Sequence, residues 1–122
     1  MGSGRSGSTT SKAAEMSRGA LVWVNLADAT PPEMSKRRPA LILSNTEQNQ
    51  ILSTVVVLPI SSRPPEIWPL RLQVPKVAGL RESFVVIPGV RQVSKARIGE
   101  SIGFVDDRFL AKVIDALAAY LG

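Results

Sequence analysis

At 122 residues with 44% hydrophobic side chains, the chain has the length of one domain and enough apolar material for a modest core. It contains neither cysteine nor histidine, which excludes disulfides, thiolate metal sites and the commonest general acid–base and metal ligand. Any catalysis must rest on arginine, lysine, carboxylates or hydroxyls. The formal charge of +5 favours a polyanionic partner, nucleic acid first, although a solvated basic surface would give the same balance. No apolar run approaches a membrane span and no signal peptide is evident, so a soluble cytoplasmic protein with no membrane partner is expected.

Residues 1–17 read as a leader. Gly2-Ser3-Gly4-Arg5-Ser6-Gly7-Ser8 has flexible-linker composition, and the segment is set aside from the fold; residues 18–122 form the expected domain. Ala20 to Leu26 is apolar, with β-branched and aromatic residues at its centre, which predicts a buried strand. A loop follows over 27–38, with Pro31-Pro32 and Glu33 inside it and Lys36-Arg37-Arg38 at its end. Pro39 has no N–H to give a sheet and suits the first position of a strand. The residue before a proline is pushed towards an extended conformation, so Arg38 is expected as the last loop residue, at the lip of a strand over 39–44. Asn45 to Gln50 is a polar turn with room for a single helical turn.

Thr54 to Ile60 carries the strongest strand signal in the chain and runs into the polar loop Ser61-Ser62-Arg63-Pro64-Pro65. Leu70 to Val74 alternates apolar and polar residues, so one face is wet. Shorter strands are expected over 83–87 and 90–93, and another within 97–105, interrupted by Gly99 and Gly103. At the end, Phe109, Leu110, Val113, Ile114, Leu117, Tyr120 and Leu121 recur at helical spacing, with Asp106 or Asp107 as the N-cap. A run of strands without helical segments between them, then one helix, argues for a mainly β (α+β) domain: a small antiparallel sheet or barrel with the helix packed on it.

Chemistry concentrates at a few positions. Side chains alternate along an extended segment, so only one or two of Lys36, Arg37 and Arg38 can enter a shared site; a solvated basic loop is the plainer reading. If the strand from Pro39 and the strand ending at Ile60 pair antiparallel, the start of one lies beside the end of the other. Arg38 and Ser61 then come close. Ser61-Ser62 is otherwise an ordinary turn before a diproline. Glu33 can orient an arginine, act as a base, or simply be solvated. Trp68 is a candidate exposed aromatic, able to stack a base or to cover the core. Phosphate-binding glycine loops, paired carboxylates and metal-ligand spacings are absent from the sequence, so no metal is expected. These residues narrow the chemistry without selecting a reaction.

A pattern spread along the chain goes further. Arg18-Gly19-x-x-Val22-Trp23-Val24-x-Leu26 is followed by Glu33-x-x-x-x-Arg38-Pro39-Ala40-Leu41-Ile42-Leu43-Ser44-Asn45, by Asn49, and by Val56-Val57-Leu58-Pro59-Ile60-Ser61-Ser62. Ser83-x-Val85-Val86-x-x-x-Val90-Arg91-x-Val93-x-Lys95-x-Arg97-Ile98-Gly99 and Ile102-Gly103 complete it. In order and spacing this resembles the MazF/PemK toxins, from Arg18 to Leu121. The resemblance implies a small twisted antiparallel SH3-like barrel with a C-terminal helix, assembled as a homodimer. It implies a ribosome-independent endoribonuclease acting on single-stranded RNA without a cofactor, neutralised by a cognate acidic antitoxin.

Carried onto this chain, the family's catalytic pair falls on Arg38 and Ser61, the loop glutamate on Glu33, and a further RNA-binding arginine on Arg91. Lys36, Arg37, Ser62 and Arg63 become supporting RNA contacts. Serine replaces the usual threonine at position 61, keeping the hydroxyl and losing the methyl that restrains χ1. Pro88-Gly89-Val90 stands where the family has an acid–glutamine pair before the arginine, which bears on base preference. The implied reaction is attack of the 2′-hydroxyl on the adjacent phosphorus, with Arg38 stabilising the developing charge. Ser61 would hydrogen-bond the phosphate or orient the 2′-hydroxyl. Two other readings share the fold: a CcdB-like gyrase-binding poison, and an RNA-binding homologue with weakened cleavage.

Overall fold

The computed structural model describes residues 16–26 and 37–122. Within them the chain forms β1 (Ala20–Asn25), β2 (Arg37–Ile42), α1 (Thr46–Ile51), β3 (Thr54–Ser61), β4 (Arg71–Gln73), β5 (Phe84–Val86), β6 (Arg91–Ser94), β7 (Ile98–Phe104) and α2 (Asp107–Leu121). Short 3₁₀ turns, Ile87–Gly89 and Lys95–Arg97, precede β6 and β7. Every strand pairing is antiparallel, in the order β4-β5-β3-β2-β1-β7, with β6 also on β3. The strand and helix order expected from the sequence is the order found. The leader up to residue 15 lies outside the described residues, as do Glu33 and Lys36.

Two prolines set the limits of the ladders. Leu43 N donates to Val56 O at 2.9 Å, and in an antiparallel ladder alternate residues face the same neighbour. Position 39 would therefore offer its N–H to β3. Pro39 has none, and the β2–β3 pairing ends at Ala40↔Pro59. On the other side β2 continues, with Arg38 opposite Val24 and Arg37 opposite Asn25. Pro39 is thus the third residue of β2 rather than its first, and Arg38 belongs to the strand rather than to the loop. A proline silences only the edge its nitrogen faces; the opposite edge uses its neighbours' groups.

By the same alternation, the nitrogen of Pro59 faces the other edge of β3. That is where the partner strand breaks: β6 pairs up to Val57↔Arg91, β5 resumes at Ile60↔Val85, and Ile87–Gly89 fills the gap.

Both faces of the sheet are covered. Leu21, Leu41 and Leu58 pack on one side with Phe109, Val113 and Ala116 of α2. Their chain neighbours Val22, Ile42 and Val57 pack on the other with Val93 of β6 and Ile98 of β7. The period-2 alternation of a strand divides these neighbours between two cores. β6 and β7 lie at opposite ends of the run β6-β3-β2-β1-β7, yet only Lys95–Arg97 separates them. The sheet therefore curls on itself as a small barrel-like body, but no hydrogen-bonded ladder joins β6 to β7 among the described pairings, and it is not closed.

The helices are capped as their sequences require. Asp106 Oδ1 accepts from Phe109 N at 2.9 Å at the start of α2, a bond of the kind typically worth ~1 kcal/mol. Asn45 Oδ1 accepts from Glu47 N and Gln48 N at α1. On α2 the fully covered stripe is Phe109, Val113 and Ala116. Leu110 and Leu117 are half-buried, while Ile114, Tyr120 and Leu121 are exposed, although their spacing placed them on the apolar face. Met16 is buried and its carbonyl accepts from Asn49 Nδ2, so the folded body includes it. Among the described residues no helix is long and apolar enough to cross a membrane.

Candidate nucleic-acid cleft

Extending the β2–β3 register past the prolines puts Arg38 opposite Ser61. At those strand ends opens a cleft of about 670 Å³, lined by Arg37, Arg38, Ser61, Ser62 and Arg63, with Trp23 from β1 and Arg81 from the segment before β5. Leu26, Pro39, Pro59, Leu80 and Ser83 complete much of the wall. Among the described residues, every charged side chain lining it is an arginine. Guanidinium groups cannot readily lose their protons and offer paired donors shaped for phosphate. Such a cleft holds an anion better than any other ligand class.

The strand geometry sorts the cations. Arg37 lies over the Trp23 ring, 5.6 Å from its centroid, and its Nη2 is 3.8 Å from Glu100 Oε1. That ion pair is solvent-exposed and of a type worth at most about 1 kcal/mol, about the same as an exposed cation–π contact, so the two together hold the side chain only modestly in place. Gly99 lies beside the pair: a Cβ on it would make an ordinary 3.5 Å contact with Arg37 Nη2 but stand a tight 3.3 Å from Trp23 O.

Ser61 is more constrained. Its Oγ accepts from Arg63 N at 3.0 Å and from Arg71 Nη2 at 3.4 Å, and the same Nη2 donates to Arg63 O at 2.6 Å. Arg71 reaches across because the 62–70 segment folds back on it: Ile67 and Arg71 exchange backbone hydrogen bonds at 2.9 and 2.7 Å. Glu66 is drawn the same way, its Oε2 accepting from Gln73 N.

Of the residues singled out in the sequence, Arg37, Arg38, Ser61, Ser62 and Arg63 come together here. Arg91 does not: it is exposed on β6, opposite Val57, and is not part of the cleft wall. Glu33 and Lys36 lie outside the described residues. Trp68 is exposed as expected, but the tryptophan that lines the cleft is Trp23, at a position read as buried strand. Arg71 and Arg81 were not singled out. Arg71 sits in a strictly alternating segment whose polar positions read as solvent-facing, and nothing local signals that the preceding loop would carry it to Ser61. Among the described residues there is no gathering of three or more acidic side chains that could hold a metal ion.

A curled antiparallel sheet, a packed C-terminal helix and an arginine-lined cleft at the strand ends define a small β-rich protein with a cationic cleft. Residues 17–121 match the family described as the PemK-like, MazF-like toxin of type II toxin–antitoxin systems, and the chain belongs to that family. Solved structures agree. A MazF from Deinococcus radiodurans is 28% identical, with a TM-score of 0.72 over 87% of this chain and 96% of that one. A MazE–MazF structure from the same organism is 29% identical, with a TM-score of 0.72 over 87% and 95%. An endoribonuclease in complex with its cognate antitoxin, from a mycobacterial species, shares the fold at 24% identity, with a TM-score of 0.73 over 87% and 94%.

Proposed function

We propose that this chain is the toxin of a type II toxin–antitoxin pair and acts as a ribosome-independent, metal-independent endoribonuclease on single-stranded RNA in the cytoplasm. The observation that carries this reading is the juxtaposition of Arg38 and Ser61 across the ends of β2 and β3, in a cleft whose charged side chains among the described residues are arginines.

In the proposed reaction a bond forms between the substrate 2′-oxygen and phosphorus while the bond from phosphorus to the 5′-oxygen breaks. The products are a 2′,3′-cyclic phosphate and a 5′-hydroxyl end. The nucleophile belongs to the substrate, so the protein must supply positioning, charge stabilisation and proton transfer. Arg38 places paired N–H donors where charge builds on the phosphate oxygens, typically the largest catalytic contribution. Ser61 adds a hydroxyl beside it. Glu33 is the proposed base for the 2′-proton or the group that orients Arg38, and the leaving 5′-oxygen takes its proton from solvent or from the arginine side of the cleft. Arg37, Arg63 and Arg81 bind the flanking phosphates, with Lys36, Ser62 and Arg91 as weaker contacts.

A cognate antitoxin follows from family membership and from the MazE–MazF relative. An arginine-lined cleft calls for an acidic, flexible segment that competes with RNA for the same charge. A homodimer is proposed on the family's pattern, and sedimentation of a monomer would count against it.

The test is incubation of purified protein with a long single-stranded RNA in EDTA, followed by sequencing of the ends. Cleavage leaving 5′-hydroxyl ends supports the nuclease. Binding without cleavage would point to an RNA-binding module, and gyrase inhibition with neither would point to a CcdB-like poison.

A further inference from the structure

We infer that Arg71 is a positioning residue that acts through Ser61 and fixes the direction in which the serine hydroxyl gives its proton. This rests on reading the cleft as an RNA-cleaving site, and it decides between the two roles open to Ser61 there.

A serine hydroxyl has two acceptor lone pairs and one hydrogen. Ser61 Oγ accepts from Arg63 N at 3.0 Å and from Arg71 Nη2 at 3.4 Å. Both acceptor directions are taken, one by Arg63 of the folded-back segment and one by Arg71 of β4. The direction left over belongs to the O–H, and Ser61 lines the cleft. The hydroxyl is therefore set to donate into the cleft, to a non-bridging oxygen of a bound phosphate. It has no lone pair left with which to take the 2′-hydroxyl proton, so Ser61 is a donor to the phosphate and not an acceptor from the nucleophile.

Arg71 is suited to impose this. Its Nη2 is tied to Arg63 O at 2.6 Å, and it is not part of the cleft wall. It is held as a fixed neighbour of Ser61 rather than as a free cation for RNA. A guanidinium donating to Oγ also draws electron density from the hydroxyl and makes it a stronger donor, as charge-assisted hydrogen bonds do in general.

The experiment is a double-mutant cycle in single-turnover RNA cleavage with Ser61→Ala, Arg71→Gln and both together, each checked for folding by thermal unfolding. Arg71→Gln is expected to slow the cleavage step about tenfold while RNA affinity stays within about twofold. Ser61→Ala should slow it at least as much. The double variant should be no slower than Ser61→Ala alone, because Arg71 has nothing left to act through.

A second readout uses RNA with a phosphorothioate at the scissile position. Any preference of the wild type between the two diastereomers should shrink in both single variants, which a merely structural change would not produce. If Arg71→Gln fails to fold, Arg71→Met, which keeps the aliphatic stem and offers no donor to either oxygen, is read in the same cycle. Additive losses, a loss confined to affinity, or an unchanged rate would overturn the role of Arg71 while leaving the nuclease reading intact. A wild-type protein that cuts no RNA overturns that reading and this inference with it.

Discussion

Gly89 lies against the ring of Pro59: a Cβ on the glycine would stand 2.6 Å from Pro59 Cγ and 3.0 Å from Cδ. Those ring atoms cannot swing aside as the end of a flexible side chain would, so the turn before β6 or the middle of β3 must shift to admit a methyl group. Gly89→Ala should destabilise the fold by roughly 1–3 kcal/mol, the usual cost of overpacking. Urea denaturation would register it as a lower midpoint at an unchanged slope. A midpoint equal to that of the wild type would mean that the turn and the proline are not in this contact.

Asn49 is the second structural fastening. It is buried, its Nδ2 donates to Met16 O and Ser44 O, and its Oδ1 accepts from Ser44 Oγ. Ser44 Oγ in turn accepts from Val56 N at 3.0 Å. One amide thus ties the entry of the domain to α1 and to the β2–β3 connection. Asn49→Ala strands those buried partners and should cost about 1–3 kcal/mol. Its effect on RNA cleavage at a temperature where the variant is folded should be small, which separates a scaffold residue from a site residue.

These fastenings show which parts of the molecule the sequence made legible. Apolar, β-branched runs and the helical stripe located β1, β3 and α2, because burial on one or both faces writes itself into adjacent residues. The meeting of Arg38 and Ser61 was also legible, since antiparallel pairing through a short connection forces the start of one strand beside the end of the other. The limits of β2 were not. A proline marks a strand start only if both edges are in use at that point, and Pro39 blocks one edge alone. Arg71 and Arg81 escaped for a different reason. Their place in or beside the cleft depends on how the 62–70 segment and the chain before β5 fold back in three dimensions, and no local periodicity encodes that. Trp23 reads as part of a buried strand because a strand residue at a cleft wall has the same neighbours in sequence as one at a barrel centre.

Arg38 and Arg91 should separate cleanly in a cleavage assay. Arg38 lines the cleft opposite Ser61, whereas Arg91 is on β6 and outside it. Arg38→Ala should lower the single-turnover rate by about a hundredfold or more, the typical cost of removing a donor to developing charge. Arg91→Ala should stay within about threefold, as a single exposed charge largely screened by salt. A large loss at Arg91 with little at Arg38 would move the reaction centre away from this cleft.

Arg81 offers a test of the cleft that does not depend on catalysis. It is exposed on the wall and its side chain forms no ion pair among the described residues, while its backbone carbonyl accepts from Ser83 Oγ. If it binds a phosphate, its contribution is electrostatic and indifferent to base identity. Each phosphate contact to a single strand adds about −0.7 to the slope of log affinity against log salt. Arg81→Ala should therefore flatten that slope by about this amount and weaken binding to unrelated single-stranded RNAs by similar factors. Fluorescence anisotropy over a salt series would read both, using RNA carrying a 2′-deoxy nucleotide at the cut site to prevent turnover. An unchanged slope would place the RNA backbone elsewhere on the surface, and a loss confined to some sequences would make Arg81 a reader of bases instead.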